Sequence, residues 1–288
     1  MTKIHELHES TVSRLIEQAL FEDLGFGDIT TESLIPEDTL ATAHIIANDP
    51  GVIAGLEVAG LVYRYIDMQI TFSSILRDGD AIKAGRTIAH IHGPLRGILQ
   101  GKQTTINFLM RMSGVASLTR EYVEEVKGTK TRITGTRHTV PTLRMIDHFA
   151  LKAGGGMVRS FGIDEEIVIT AGHVIAVGGY SQAVAEAFKF LEREEVNKPV
   201  SVEVHTFDEL RDILGHADRL DRIVLVGFPP AIIPQAVDTI AGKTDIEATG
   251  NITTRNARDV AEAGVDYIAV PDVTHSPRAV TFAFRVSL

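Results

Sequence analysis

Beyond about Gly114 the chain alternates short apolar, β-branched runs with stretches of helical periodicity, and this alternation limits the fold more than any other feature. The runs cover residues 132–135, 166–170, 200–205, 222–227, 245–249 and 267–270. The helical stretches between them cover 141–153, 181–195, 207–214, 232–240 and 254–263. A run without polar alternation is apolar on both faces, so as a strand it must be covered on both sides. Strands joined by helices pair in parallel through right-handed crossovers. Six of them predict an α/β fold with a closed or nearly closed barrel, whose function belongs at the carboxyl ends of the strands.

The first third reads as a small α+β layer. Val12, Leu15, Ile16, Ala19, Leu20 and Leu24 recur at spacings of three and four and predict a helix over 10–24, ended by Gly25. Residues 41–47, 69–73 and 87–91 read as strands, and 55–65 as a helix. The 288 residues are 44% hydrophobic and 23% charged, enough for one large or two modest cored domains and unlike a disordered chain. No apolar run reaches the ~18–20 residues of a membrane span, and no apolar leader follows Met1, so a cytoplasmic location is expected. A net charge of -10 without a Lys/Arg-rich run argues against nucleic acid. With no cysteine, disulfides, thiolate nucleophiles and thiolate metal sites are excluded, leaving oxygen and nitrogen side chains for any chemistry.

Just past the strands stand Gly135-Thr-Arg-His, Thr170-Ala-Gly-His, Glu203-Val-His, Glu247-Ala-Thr-Gly-Asn and Val270-Pro-Asp-Val-Thr-His-Ser. They place His138, His173, His205 and His275 at strand ends. A single loop histidine can equally be satisfied by a backbone carbonyl, but histidine, arginine and carboxylate converging at one mouth suit an anion-binding or acid–base site. The stretch from Glu247 through Gly250 to Thr253 or Thr254 as N-cap reads either as a phosphate-binding turn or as an ordinary capped helix start. Gly154-Gly-Gly reads as a close approach to a ligand or as a helix C-cap. The pairs His5/His8 and His90/His92 lack a third ligand and read as surface decoration. No nucleophile elbow, Walker loop or dinucleotide fingerprint is present, and no lysine stands at a strand end for Schiff-base chemistry.

Taken in order, several segments resemble the quinolinate phosphoribosyltransferase family, also called nicotinate-nucleotide pyrophosphorylase (carboxylating). They are Ala19-Leu-Phe-Glu-Asp-Leu-Gly-Phe-Gly-Asp-Ile-Thr-Thr, Asn107-Phe-Leu-Met-Arg-Met-Ser-Gly-Val-Ala-Ser-Leu-Thr, Thr136-Arg-His-Thr-Val-Pro-Thr-Leu-Arg, Ala153-Gly-Gly-Gly, Val202-Glu-Val, Glu247-Ala-Thr-Gly-Asn-Ile, Gly264-Val-Asp-Tyr-Ile and Thr274-His-Ser. The resemblance implies an N-terminal α/β sandwich domain (1–113), an incomplete α/β barrel (114–277) and a terminal strand (278–288) returning to the first domain. It also implies a homodimer or higher homo-oligomer, with no nucleic-acid or membrane partner. The implied activity is phosphoribosyl transfer from phosphoribosyl pyrophosphate to quinolinate with Mg²⁺, releasing pyrophosphate and carbon dioxide and yielding nicotinate mononucleotide.

Carried onto this sequence, the family's catalytic positions are Glu203, His138 and His173. Arg137, Arg159, Gln103, Thr170 and His275 fall at substrate positions, Gly250, Asn251, Thr274 and Ser276 at phosphate positions, and Glu203 with Glu247 at the metal. The chain departs from the family pattern in charge. His138 and Thr170 replace lysines, Gln103 an arginine that reaches the neighbouring subunit, Arg159-Ser160 a histidine–arginine pair, Ser201 a glutamate and Val226 an aspartate. Two readings follow: a phosphoribosyltransferase with an altered acceptor, or a divergent paralogue that binds a phosphorylated small molecule without quinolinate activity.

Overall fold

The computed structural model describes residue 7 and residues 9–288; the His5/His8 pair lies outside them. In chain order the elements are α1 (Glu9–Leu24), α2 (Ile29–Leu34), β1 (Leu40–Ala47), β2 (Gly51–Val52), α3 (Leu56–Ile66), β3 (Thr71–Ser73), β4 (Ala81–Ile82), β5 (Thr87–Pro94) and α4 (Leu95–Glu125). They continue with β6 (Arg132–Thr134), α5 (Arg144–Ala153), β7 (Ile167–Ile169), α6 (Ala171–Val177), α7 (Tyr180–Arg193), β8 (Val200–Val204), α8 (Phe207–Ile213), β9 (Arg222–Val226) and α9 (Ile233–Ile240). The last are β10 (Asp245–Thr249), α10 (Ala257–Glu262), β11 (Tyr267–Ala269), α11 (Asp272–His275) and β12 (Phe282–Ser287).

Two compact units share the chain. The first takes residues up to Arg120, Thr139–Gly155 and Asp272–Leu288; the second takes Glu121–His138 and Gly156–Pro271. The boundary expected at 113/114 therefore falls inside a continuous helix, α4, and residues 139–155 with 272–277 group with the first unit.

The first unit holds an antiparallel sheet in the order β12-β1-β5-β3. Alternation in β1 turns Ala43, Ile45 and Ala47 inward, where they meet Ile88 and Ile91 of this sheet, Ala59 and Tyr63 of α3, and Ile98 and Leu109 of α4. The other face carries His44, His90 and His92, with 2.8 Å between His44 Nδ1 and His90 Nδ1. β12 runs antiparallel to β1 from Ala47↔Phe282 to Thr42↔Ser287. It is anchored where Asp49 Oδ2 accepts the Thr281 N–H at 3.0 Å and the Thr281 hydroxyl at 2.6 Å.

The longest helix, α4, carries no clean apolar stripe because glycines occupy its contact positions. A Cβ on Gly101 would lie 2.7 Å from Tyr63 Cε1, and one on Gly114 would lie 2.6 Å from the Arg278 carbonyl oxygen. These glycines lower helix propensity while letting neighbours come close. Gly154 acts in the same way: it caps α5, and a Cβ there would lie 2.5 Å from the Ala116 carbonyl. Of the two readings of the triple glycine, the C-cap holds for Gly154.

The second unit is a six-stranded, all-parallel sheet in the order β6-β11-β10-β9-β8-β7, as the repeated runs predict. β6 and β7 are its edges and do not pair, so the barrel is incomplete. Among the described residues, no helix is long and apolar enough to cross a membrane.

Candidate active site

In-register neighbours of a parallel sheet share a face, so Glu203, Val224 and Glu247 form one row and Ser201, Arg222 and Asp245 the row before it. Barrel interiors are usually filled by branched apolar side chains. Here two consecutive rows contain charged residues instead, and a cavity of about 190 Å³ opens above them. Its wall takes Thr136, Arg137 and His138 from the segment after β6, Arg159, Ser160 and Glu166 from the approach to β7, Glu203 from β8 and Glu247 with Thr249 from β10. Val168, Val224 and Ala269 supply the apolar part.

Charge in this wall is organised around Arg159. Its Nη2 and Nε donate to Glu166 Oε1 and Oε2 at 2.6 and 2.9 Å, and its Nη1 donates to Glu247 Oε1 at 2.8 Å. Ser201 Oγ donates to Glu166, and Arg222 Nη1 to Glu247 Oε2. The Arg222 guanidinium lies 3.8 Å from the centre of the Tyr267 ring, a cation–π contact. Burial works against the Arg159 charge, but the hydrogen bond with Glu166 and the charges of Glu247 and Glu166 outweigh it and hold its pKa above the usual guanidinium value. Arg159, Ser160 and Glu166 also line a second cavity with Ser201, Asp221, Arg222 and Asp245, so the ionic lattice partitions two hollows of the same unit.

The structure brings Arg137, His138, Arg159, Glu203 and Glu247 onto one cavity, and Thr170, His173, Gly250 and Asn251 of the same unit are not in its lining. His173 and Thr170 are not in the lining: the Thr170 N–H donates to His173 Nδ1 at 3.1 Å, and its hydroxyl lies 3.0 Å from the same nitrogen. This reciprocal pairing starts α6, so the two residues serve as a helix cap. His205 is likewise outside the lining, its N–H donating to Glu209 at 2.6 Å. Gln103, Thr274, His275 and Ser276 belong to the first unit. There Gln103 bonds Asn107 along α4 at 2.9 Å, buried Thr274 offers its carbonyl to Arg111, and His275 Nδ1 lies 2.5 Å from Ser276 Oγ.

Past β10, Gly250 and Asn251 both adopt left-handed backbone, φ +88° and +54°. A Cβ on Gly250 would lie 3.1 Å from the Gly227 nitrogen. Regular helix α10 opens after Asn256, yet Asn256 Oδ1 accepts the Thr253 N–H at 2.7 Å and the Thr253 carbonyl accepts the Ala257 N–H at 2.9 Å. The turn thus begins at Thr253, and the regular helix begins later than expected.

As a metal ligand Glu247 does not fit, because each of its oxygens receives a guanidinium. Among the described residues no group of three or more His, Asp or Glu side chains could hold a metal ion. Glu203 is the carboxylate in the wall that makes no hydrogen bond or ion pair among the described residues. Sequence reasoning missed Glu166 and Arg222 as site residues. The available signal was Glu247 itself, a carboxylate inside an apolar parallel strand, which must find cationic partners.

The C-terminal domain model of quinolinate phosphoribosyl transferase matches residues 115–285, and the N-terminal domain model of the same enzyme matches 28–113. The chain belongs to the quinolinate phosphoribosyltransferase family. Membership makes it an enzyme of the pentosyltransferase class. It is 34% identical to a nicotinate-nucleotide pyrophosphorylase [carboxylating] of Mycobacterium leprae, over 91% of this chain and 93% of the relative. It is 30% identical to a mitochondrial quinolinate phosphoribosyltransferase [decarboxylating] of Nicotiana tabacum, over 96% of this chain and 82% of that one. Among solved structures, the nicotinate-nucleotide pyrophosphorylase of Francisella tularensis superposes with TM-score 0.93 at 30% identity over 100% of both chains. NadC of Streptococcus pyogenes gives 0.92 at 29% over 98% of both. In this member of the quinolinate phosphoribosyltransferase family, a carboxylate-bound arginine stands in the wall of the cavity.

Proposed function

We propose that the chain transfers phosphoribose from phosphoribosyl pyrophosphate to a small nitrogen-heterocyclic acid bound in the cavity between β6, β8 and β10, releasing pyrophosphate. Quinolinate is the acceptor in the names of several relatives. The observation that carries this reading is the meeting of Arg137, His138, Arg159 and Glu203 on one wall in a chain of this family. Arg137, His138 and Arg159 take the acidic group of the acceptor. Three of the five N–H donors of Arg159 are committed to Glu166 and Glu247, and the remaining two suffice for one carboxylate.

Glu203 faces the ribose, where its negative charge stabilises the positive charge that develops as the bond to pyrophosphate breaks. The backbone of Gly250 and Asn251 takes a phosphate group. Mg²⁺, if used, would neutralise the leaving pyrophosphate, held by substrate oxygens and water with Glu203 as its protein ligand. Action in the cytoplasm as a homodimer or higher homo-oligomer completes the proposal. Light scattering measures the second part.

The test supplies phosphoribosyl pyrophosphate, Mg²⁺ and either quinolinate or nicotinate, and measures pyrophosphate. Acceptor-dependent release is expected. If none exceeds the blank while inorganic phosphate or a sugar phosphate raises the melting temperature, the chain is the non-catalytic binder instead. That second reading draws its support from His173 and Thr170, which are not in the lining and pair with each other at the start of α6.

A further inference from the structure

We propose that His44 and His90 form a two-histidine chelate for a Cu²⁺ or Ni²⁺ ion on the open face of the first unit's sheet. The cavity of the second unit plays no part in it, so it stands apart from the transfer reading.

The sequence pairs His90 with His92 along one strand, but the register supplies a nearer partner. His44 of β1 lies directly opposite His90 of β5, and Thr42 lies opposite His92. Nδ1 of His44 stands 2.8 Å from Nδ1 of His90, with ring centres 4.9 Å apart and planes at 87°. His92 turns instead to the Thr42 hydroxyl, 3.1 Å from its own Nδ1. Two ring nitrogens so placed share one proton, which one donates and the other accepts. Moving that proton through solvent to Nε2 of the same ring frees both Nδ1 lone pairs and leaves each imidazole neutral. A small turn of each ring then aims both at one ion.

The chemistry of the face selects the metal. Its in-register rows are Arg285, His44, His90, Ser73 and Ser287, Thr42, His92, Thr71, with no carboxylate in either. Mg²⁺ and Ca²⁺ take oxygen ligands, above all carboxylates, and gain little here. Imidazole suits the first-row transition metals, and Cu²⁺ binds most tightly of them. Arg285 lowers the affinity of any cation without distinguishing between them. At metal–nitrogen bonds of about 2.0 Å, adjacent ligands of a square-planar ion lie about 2.8 Å apart and those of a tetrahedral one about 3.3 Å. The 2.8 Å spacing therefore favours Cu²⁺ and Ni²⁺ over Zn²⁺. No third His, Asp or Glu joins the pair among the described residues, so water completes the coordination. An ion held there ties β1 to β5, the two central strands of the sheet.

The full chain, stripped of metal with a chelator, is titrated with Ni²⁺ by calorimetry and with Cu²⁺ by electron paramagnetic resonance. A His5→Ala/His8→Ala background removes the rival pair. Binding of one ion is expected, with splitting from two imidazole nitrogens in the copper spectrum. His44→Ala and His90→Ala should each weaken binding by about tenfold or more, because the second imidazole closes the chelate within one molecule. Each should also reduce the splitting to one nitrogen. His92→Ala should leave affinity and spectrum unchanged. His44 is half-buried and His90 exposed, so if one variant misfolds the other decides. Binding of neither ion, affinity unmoved in the folded His44 or His90 variant, or a loss in His92→Ala as large as theirs would overturn the inference.

Discussion

Arg159 grips Glu166 through two parallel hydrogen bonds, Nη2 to Oε1 at 2.6 Å and Nε to Oε2 at 2.9 Å, with only 16% and 8% of the two side chains exposed. Glu247, 3% exposed, shares the same guanidinium. Such a pair adds little stability over an apolar packing of the same volume, but removing one member leaves the other as an uncompensated buried charge. Arg159→Met should therefore cost about 3–5 kcal/mol. Scanning calorimetry should show a melting temperature lower by roughly 10 °C. A shift of about a degree would mean that Glu166 and Glu247 are not held by this residue.

Arg137 lines the same cavity from an exposed position. Arg137→Ala should leave stability within about 0.5 kcal/mol of the parent. Loss of charged hydrogen bonds to the acceptor should weaken its binding by about 1.5–3 kcal/mol, read as a rise in KM of tenfold or more. Collapse of the fold would make Arg137 a structural residue and misplace the acceptor site.

The carboxyl of Asp49 accepts two hydrogen bonds from Thr281, side chain first and backbone second, and with the charge of Arg278 these hold it below the usual carboxylate range. An acid with a lowered folded pKa stabilises the fold above its unfolded value of about 3.9, and that contribution disappears as pH falls through the lower folded value. Hydrogen exchange of the β12 amides, corrected for intrinsic rates, should be level from pH 7 to about 5 and lose protection below about 4. In Asp49→Ala protection should be reduced at neutral pH, and the acid step should vanish.

Gly101 faces the ring of buried Tyr63 across a gap with no room for a methyl group. Gly101→Ala gains helix propensity of up to about 1 kcal/mol. It also forces the ring or Ile66 to move, at about 1–3 kcal/mol. Net destabilisation in urea unfolding is expected; a more stable variant would show that the contact yields freely.

The parallel strands were legible because each lies in a short run rich in β-branched apolar residues between helical stretches, and all six runs recur as β6 to β11. α4 was not, because Gly97, Gly101 and Gly114 replace the apolar residues that mark a helix stripe, and their value lies in what packs against them. α6 is only seven residues long and starts with the Thr170–His173 pairing, a local contact not legible in the sequence, which reads His173 as catalytic and Thr170 as substrate-binding. Strand-end position identified Arg137, His138 and Glu203. It could not identify Glu166 or Arg222, which stand at the opposite ends of their strands and matter through partners distant in sequence.

Pairing of β12 with β1 imposes an order on biosynthesis. While some 235 residues between Ala47 and Phe282 are still being added, at about 5–20 per second, the outer rim of β1 lacks its neighbour for roughly ten to fifty seconds. A nascent chain with that rim uncovered is open to pairing with another ribosome's product, so yield in a fast, crowded expression host should depend on how promptly residues 282–287 arrive.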